Sequence, residues 1–148
     1  MSKYHYTESG PDNVWLLDGY TIHQIDGEEA VSINDMDNLH KAIGKVIATS
    51  QNKISPKEIR FLRVEMGLSQ KNLAACLGVE AQTIARWEKN ECAIPGPAER
   101  LLRAFYLEHN DGNTDIVELC NKFAELDEME SACKREFEHN ENGWKLAA

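Results

Sequence analysis

The chain has 148 residues, the size of one ordinary domain or of one compact domain with small appendages, and 42% of them are hydrophobic. This length excludes a large multidomain enzyme, and no apolar run approaches the roughly 20 residues that a membrane-spanning helix needs. The net charge of −9 ordinarily argues against a nucleic-acid partner, because phosphate groups repel an acidic surface.

The charge is distributed unevenly along the chain. Residues 1–52 carry 3 basic and 8 acidic side chains, residues 53–107 carry 9 and 6, and residues 108–148 carry 4 and 11. The middle of the chain is therefore a modestly basic island between two acidic flanks. This asymmetry is the first indication of function.

The start of the chain and its cysteines favour a soluble, cytoplasmic protein. The first ten residues, MSKYHYTESG, lack the basic-then-apolar layout of a secretory signal. The cysteines at positions 76, 92, 120 and 133 show no CxxC spacing. We therefore expect reduced thiols, with Cys76 acting as a small apolar side chain, and no zinc cluster built from cysteines.

The first third predicts one small antiparallel sheet followed by a helix. Runs rich in β-forming residues occupy 4–7, 14–17, 20–25 and 30–33, and the Asp26-Gly27 pair suits a tight hairpin turn. Leu39, Ile43 and Ile47 then recur at helical spacing. We expect this helix to lead out of the sheet and a domain boundary to lie near residues 50–54.

The basic island predicts four short helices. Ser55-Pro56-Lys57-Glu58 is a capping box with proline at the first helical position, so a helix begins there and ends near Met66. A second helix runs from the N-cap Ser69 to a stop at Gly78, and a third spans 81–89. A fourth opens at Pro97.

The tail predicts one more amphipathic helix and a terminal hairpin. Ile116, Leu119 and Phe123 lie on one face of a helix over 115–129. Either this helix or the helical bundle before it is a candidate dimer interface. Strand-like runs at 136–139 and 143–146 flank a turn.

The stretch from residue 67 to 90, GLSQKNLAACLGVEAQTIARWEKN, has the layout of a helix-turn-helix, whose second helix enters the major groove. At 100° per residue, Gln82, Ala85, Arg86 and Lys89 form one stripe of that helix, and Ile84 and Trp87 point the other way. Gln82 can bond an adenine edge, Arg86 a guanine edge, and Ala81 can touch a thymine methyl group.

The same stretch resembles a known family. Leu68-Ser69-Gln70, Leu73-Ala74, Leu77-Gly78-Val79 and Thr83-Ile84-Ala85-Arg86-Trp87-Glu88 are similar to the XRE, or lambda-repressor-like, helix-turn-helix family over residues 53–107. The resemblance implies that Gln70 and Thr83 hold phosphates and that Ala81, Gln82 and Arg86 face bases. It also implies an internal salt bridge between Arg63 and Glu88. For Gln70, Lys71 and Lys89, phosphate contact and solvated surface remain alternatives.

The N-terminal residues resemble a narrower group. Tyr4-His5-Tyr6-Thr7-Glu8-Ser9-Gly10 and Asn13-Val14-Trp15-Leu16, with Gly27-Glu28-Glu29, are similar to MqsA-type (YgiT-like) antitoxin-regulators, in which a zinc module precedes an XRE domain. Here His23 and Asp26 stand where that group has its second CxxC pair. One His and one Asp cannot close a tetrahedral zinc site, so we expect a metal-free relic of the module and no cofactor.

Together these patterns predict a mainly α chain with a small N-terminal antiparallel β element and a lambda-repressor-like helical bundle. The predicted parts are a β module with its linker helix (1–52), a DNA-binding domain (53–109) and a C-terminal helix with a hairpin (110–148). We expect a homodimeric regulator, in the manner of a repressor, on a palindromic double-stranded DNA operator. The alternative is an antitoxin whose N-terminal module binds a toxin. No catalytic motif is present, so an enzyme is not expected.

Overall fold

A computed structural model describes residues 3–112, 118 and 135–147. Within these residues the chain forms five α-helices, three two-stranded antiparallel sheets and a 3-10 turn at Thr7–Ser9. The strands are β1 (Tyr4–His5), β2 (Trp15–Leu16), β3 (Tyr20–Ile25), β4 (Glu28–Ile33), β5 (Phe137–Asn140) and β6 (Gly143–Leu146). The helices are α1 (Met36–Thr49), α2 (Pro56–Glu65), α3 (Gln70–Leu77), α4 (Ala81–Glu88) and α5 (Gly96–Asn110). Apart from residue 118, which is helical, the helix predicted over 115–129 lies outside the described residues.

The N-terminal strands form two separate sheets, so the prediction of one sheet is wrong. β1 pairs with β2, and β3 pairs with β4 from Tyr20↔Ile33 to Ile25↔Glu28. β1 and β2 are two residues each, too short to offer β3 a long edge for pairing. The predicted hairpin turn is present, because Asp26 and Gly27 both have positive φ angles, of 50° and 82°.

The helix boundaries in the middle of the chain follow the predicted caps. The Ser55 hydroxyl accepts a hydrogen bond from the Glu58 backbone N–H, and the Glu58 carboxylate accepts one from the Ser55 N–H, which completes the capping box. Ser69 caps α3 by accepting from the Asn72 N–H, and Gly78 ends that helix with a φ of 70°.

One hydrophobic core joins all five helices. Its buried members are Ile47, Ala48, Ile54, Ile59, Phe61, Leu62, Met66, Leu68, Leu73, Ala74, Cys76, Ile84, Trp87, Ile94, Leu102, Phe105 and Tyr106. Ile47 and Ala48 belong to α1, which lies before the boundary predicted near residues 50–54. That boundary therefore falls within one core rather than between two.

Arg103 on α5 holds the C-terminal end of α1. Its guanidinium donates to the carbonyl oxygens of Ile47, at 3.2 Å, and of Ser50, and it pairs with Glu99 at 2.9 Å. Carbonyls at the end of a helix lack intrahelical partners, so a cation there satisfies them and interacts favourably with the helix dipole. The contact ties α1 to the bundle by hydrogen bonds as well as by apolar packing.

The prediction of four reduced thiols is wrong for Cys76, which is disulfide-bonded, whereas Cys92 is a free and exposed thiol. A disulfide needs two Cα atoms within about 7 Å, a proximity that the fold creates and that sequence spacing does not reveal. In the part of the chain that the structure describes, no helix combines the length and apolarity needed to cross a membrane.

Candidate nucleic-acid interface

Helices α3 and α4 are joined by a three-residue connection that begins at Gly78. The left-handed conformation of Gly78 ends α3 sharply, and Glu80 stands at the N-cap of α4 in an extended conformation. The Val79 N–H donates to the Ala74 carbonyl oxygen at 3.0 Å, which closes the end of α3. The chain therefore turns sharply between α3 and α4, as in a helix-turn-helix.

The inner face of α4 is part of the core. Ile84 is fully buried and Trp87 is 3% exposed, and both belong to the same cluster as Leu73 and Ala74 of α3. This burial agrees with the helical periodicity read from the sequence, and it places Trp87 in the core rather than on a surface for base stacking. The opposite face of α4 is thereby turned to solvent.

The outer face of α4 carries the polar side chains singled out in the sequence. Gln82, Arg86 and Lys89 are exposed, and their side chains have no hydrogen bond or ion pair with any residue that the structure describes. Ala81, Thr83 and Ala85 are partly exposed. The outer face of α4 therefore presents hydrogen-bond donors and acceptors separated by small residues. The inner face of the same helix is packed in the hydrophobic core.

Arg63 and Glu88 form the predicted ion pair. The Arg63 Nε lies 2.7 Å from Glu88 Oε2 and its Nη2 lies 3.0 Å from Oε1, a two-pronged geometry. The side chains are 11% and 5% exposed, respectively. Arg63 also donates to the Leu68 carbonyl oxygen at 3.0 Å, so the pair links α2 to the start of α3 and to the end of α4.

Gln70 joins this pair rather than standing free. Its side-chain amide donates to Glu88 Oε1 at 3.3 Å, and the residue is partly buried. Lys71, the next residue, is exposed, and its side chain has no hydrogen bond or ion pair with a residue that the structure describes. The predicted phosphate contacts of Gln70 and Lys71 remain predictions. Glu88 is held inside the cluster, so its charge does not lie on the outer face of α4.

An acidic residue of the N-terminal segment lies beside the end of α4. Asp12 accepts from Lys57 Nζ at 2.8 and 3.0 Å, and both residues line a cleft of about 410 Å³ together with Lys89 and Asn90. Sequence reasoning missed this contact because the two charges are 45 residues apart and belong to different predicted domains.

His40 connects the N-terminal segment to α2. Its Nε2 lies 2.9 Å from the Tyr6 hydroxyl and its Nδ1 lies 2.9 Å from Glu65 Oε1. Burial, followed by the charges of Glu8 and Glu65, raises the pKa of Tyr6 above its ordinary value of 10.0. The Tyr6 phenol therefore stays neutral at physiological pH and keeps its proton for hydrogen bonding. Sequence reasoning found no motif around this histidine.

His23 and Asp26, which stand where the zinc-binding group has ligands, both lie in the β3–β4 hairpin. His23 lies on β3 with its Nε2 2.9 Å from the Ser32 hydroxyl on β4, and Asp26 lies in the hairpin turn. Among residues 3–112, 118 and 135–147, no three His, Cys, Asp or Glu side chains are grouped closely enough to hold a metal ion. The expectation of a metal-free module remains a prediction.

No protein-family model matches the chain, and neither a curated protein nor a solved structure is significantly similar to it.

Proposed function

We propose that this protein is a sequence-specific double-stranded DNA-binding regulator of the XRE, lambda-repressor-like type. The observation that carries the proposal is the division of α4 into a buried face of Ile84 and Trp87 and an exposed face of Gln82 and Arg86. A helix of this kind, following a short turn, fits the major groove, where glutamine and arginine side chains distinguish bases.

The surroundings of α4 supply the supporting chemistry. Lys71 and Lys89 add positive charge near the outer face, and the Arg63–Glu88 pair keeps the carboxylate of Glu88 turned away from it. A buried carboxylate neutralised by arginine does not repel phosphate as an exposed one would. Specificity then comes from base contacts of α4, and a large share of the affinity comes from phosphate contacts.

A homodimer on a palindromic operator is the expected form of the complex. Two α4 helices placed about 34 Å apart would read half-sites one helical turn apart on one face of DNA. Bound at a promoter, such a dimer represses by excluding polymerase.

Binding to genomic fragments, followed by footprinting, tests the proposal. We expect the wild-type protein to protect a short palindromic site, Arg86→Ala to lose that protection, and Lys45→Ala to retain it. Lys45 is an exposed residue of α1, so this control removes the same unit of charge away from α4. A wild-type protein that binds no fragment, even at low salt, would contradict the proposal.

The acidity of the N-terminal residues favours a second candidate function, that of an antitoxin. Residues 4–40 contain eight acidic side chains and no lysine or arginine. The β3–β4 hairpin within this segment is mostly exposed. Such a surface suits a basic protein partner. A small basic protein encoded beside this one, which co-purifies with the wild type but not with a variant lacking the acidic residues of the hairpin, would support this candidate.

A further inference from the structure

A polar cavity lies between α1, the end of α2 and the C-terminal end of α5. Its volume is about 390 Å³. A cavity of this size suits a small molecule, since ligand pockets begin near about 300 Å³. The lining includes no residue of α3 or α4, two helices that the structure describes in full. A molecule bound in this cavity would therefore leave the candidate nucleic-acid interface free.

The hydroxyl of Tyr106 opens into this cavity without a partner. Tyr106 is 1% exposed and lines the cavity, and its hydroxyl has no hydrogen bond to any residue that the structure describes. Among those residues, every fully enclosed side-chain nitrogen or oxygen has a hydrogen-bond partner. The small exposed part of Tyr106 is therefore its hydroxyl. A buried hydroxyl without a partner is unfavourable, and a bound molecule that bonds to it would remove that cost.

Opposite charges line the cavity without pairing with each other. Asp37 and Lys41 are one turn apart on α1, a spacing at which such side chains commonly pair, yet neither has an ion pair within the described ranges. Glu65, whose side chain is 25% exposed, uses Oε1 to bond His40 Nδ1 at 2.9 Å. Its Oε2 has no bond to a described residue. The cavity thus holds one ammonium and two carboxylates that are available to a ligand.

Tyr106 is a proton donor in this cavity rather than a phenolate. Burial and then the charge of Glu65 raise the pKa of Tyr106 to about 12. The hydroxyl therefore keeps its proton at physiological pH and can donate it to an anion, as the Lys41 ammonium can. The free oxygen of Glu65 needs the opposite kind of partner, a group that donates and carries positive charge.

We propose that the cavity binds a small zwitterion with one carboxylate and one ammonium group, of the size of a free α-amino acid. The carboxylate of the ligand accepts from Lys41 and Tyr106, and its ammonium donates to Glu65. A dicarboxylate would be repelled by Asp37 and Glu65, and a diamine would be repelled by Lys41. This binding site goes beyond the proposed function, and its test needs no DNA.

Thermal unfolding of the wild-type protein with each common α-amino acid at millimolar concentration tests for the ligand. At about ten times its Kd, a ligand that binds the folded state should raise the thermal midpoint by about 3 °C or more. Calorimetric titration then compares the amino acid that gives the largest rise with its decarboxylated amine and its deaminated acid. Each analogue should bind at least about tenfold more weakly, because each lacks one charged hydrogen-bonding group.

Three variants locate the ligand in the cavity. Tyr106→Phe and Lys41→Gln should each raise the Kd by about tenfold. Lys45→Gln removes the same charge one turn further along α1, outside the cavity lining, and should bind as the wild type does. Without ligand, Tyr106→Phe should unfold at a midpoint no lower than that of the wild type, because it loses only an unpartnered hydroxyl.

A wild type whose midpoint no amino acid raises would overturn the proposal. So would an equal rise in Lys41→Gln, which would mark general stabilisation by the solute, or an analogue that binds as well as the amino acid. A protein that binds the amino acid through Tyr106 and Lys41 but binds no DNA would contradict the proposed function and leave this site standing.

Discussion

Gly44 of α1 lies directly against the side chain of Tyr106 on α5. A Cβ atom built on Gly44 would stand 1.9 Å from the Tyr106 hydroxyl oxygen and 2.2 Å from its Cζ. Tyr106 is 1% exposed and belongs to the hydrophobic core, so moving its ring aside would disturb the packing around it. The absence of a side chain at Gly44 therefore sets how closely α1 packs on α5, and it accounts for the entry of α1 into the core of the bundle.

Replacing this glycine should destabilise the protein although it lies inside a helix. In an open helical position Gly→Ala stabilises by about 0.4–1 kcal/mol, but overpacking a close contact costs about 1–3 kcal/mol. Urea denaturation should give Gly44→Ala a lower free energy of unfolding. Gly96→Ala is the control, since a Cβ there meets nothing within 4 Å. Equal effects of the two substitutions would contradict the packing described.

Removing the carboxylate of Glu88 should also destabilise the fold, because it leaves Arg63 charged and nearly buried. Breaking such a pair costs about 3–5 kcal/mol. Chemical denaturation of Glu88→Gln should show a loss of this order, and Glu91→Gln, at an exposed position three residues on, should show little. Replacing both partners by apolar residues should recover much of the loss. An unchanged free energy in Glu88→Gln would mean that the pair is not structural.

The local parts of the fold were predictable because their causes lie within a few residues. The capping box at Ser55 and Glu58, the glycine stop at Gly78 and the turn at Asp26 are all present. The two faces of α4 likewise follow from helical periodicity. The same periodicity selected Gln82 and Arg86 as exposed residues.

The parts that sequence reasoning missed depend on distant residues meeting in space. Nothing near His40 indicates that Tyr6 and Glu65 contact its ring, and nothing near Asp12 points to Lys57. The disulfide at Cys76 likewise depends on a proximity that the spacing of the cysteines in the sequence does not indicate. The boundary near residues 50–54 was placed where the first helix ends and the next begins, but Ile47 and Ala48 of that first helix belong to the same core as the helices that follow.

Protonation of Glu99 should contribute to a loss of folding stability in acid. Burial alone would raise the pKa of this carboxyl, but hydrogen bonds from Arg103 and from the Ile54 N–H bring it below its ordinary 4.5. A lowered pKa in the folded state gives a stabilisation that is present above pH 4.5 and is lost as the pH falls through the folded value. The difference in unfolding free energy between wild type and Glu99→Gln should therefore shrink below that pH. A difference that stays constant from pH 7 to pH 3 would contradict this account.

Releasing Lys57 from Asp12 should strengthen DNA binding. The pair is exposed and contributes at most about 1 kcal/mol, so Asp12→Asn should leave the fold intact. The freed ammonium lies near Lys89, where it can reach phosphate, and one added phosphate contact steepens the salt dependence by about one unit of slope. Asp18→Asn removes the same charge at an exposed position before β3 and serves as the control. Identical salt slopes for the two variants would show that Lys57 does not approach DNA.

Selection of operators from a random duplex library, run at low salt with wild type and α4 variants, tests the central claim most directly. Arg86→Ala should lose about 1–3 kcal/mol of discrimination at one base pair per half-site, and Gln82→Ala should do so at an adjacent pair. Lys71→Ala should weaken all sequences alike. If Arg86→Ala and Gln82→Ala bind DNA and select the wild-type operator unchanged, α4 is not the helix that reads the sequence.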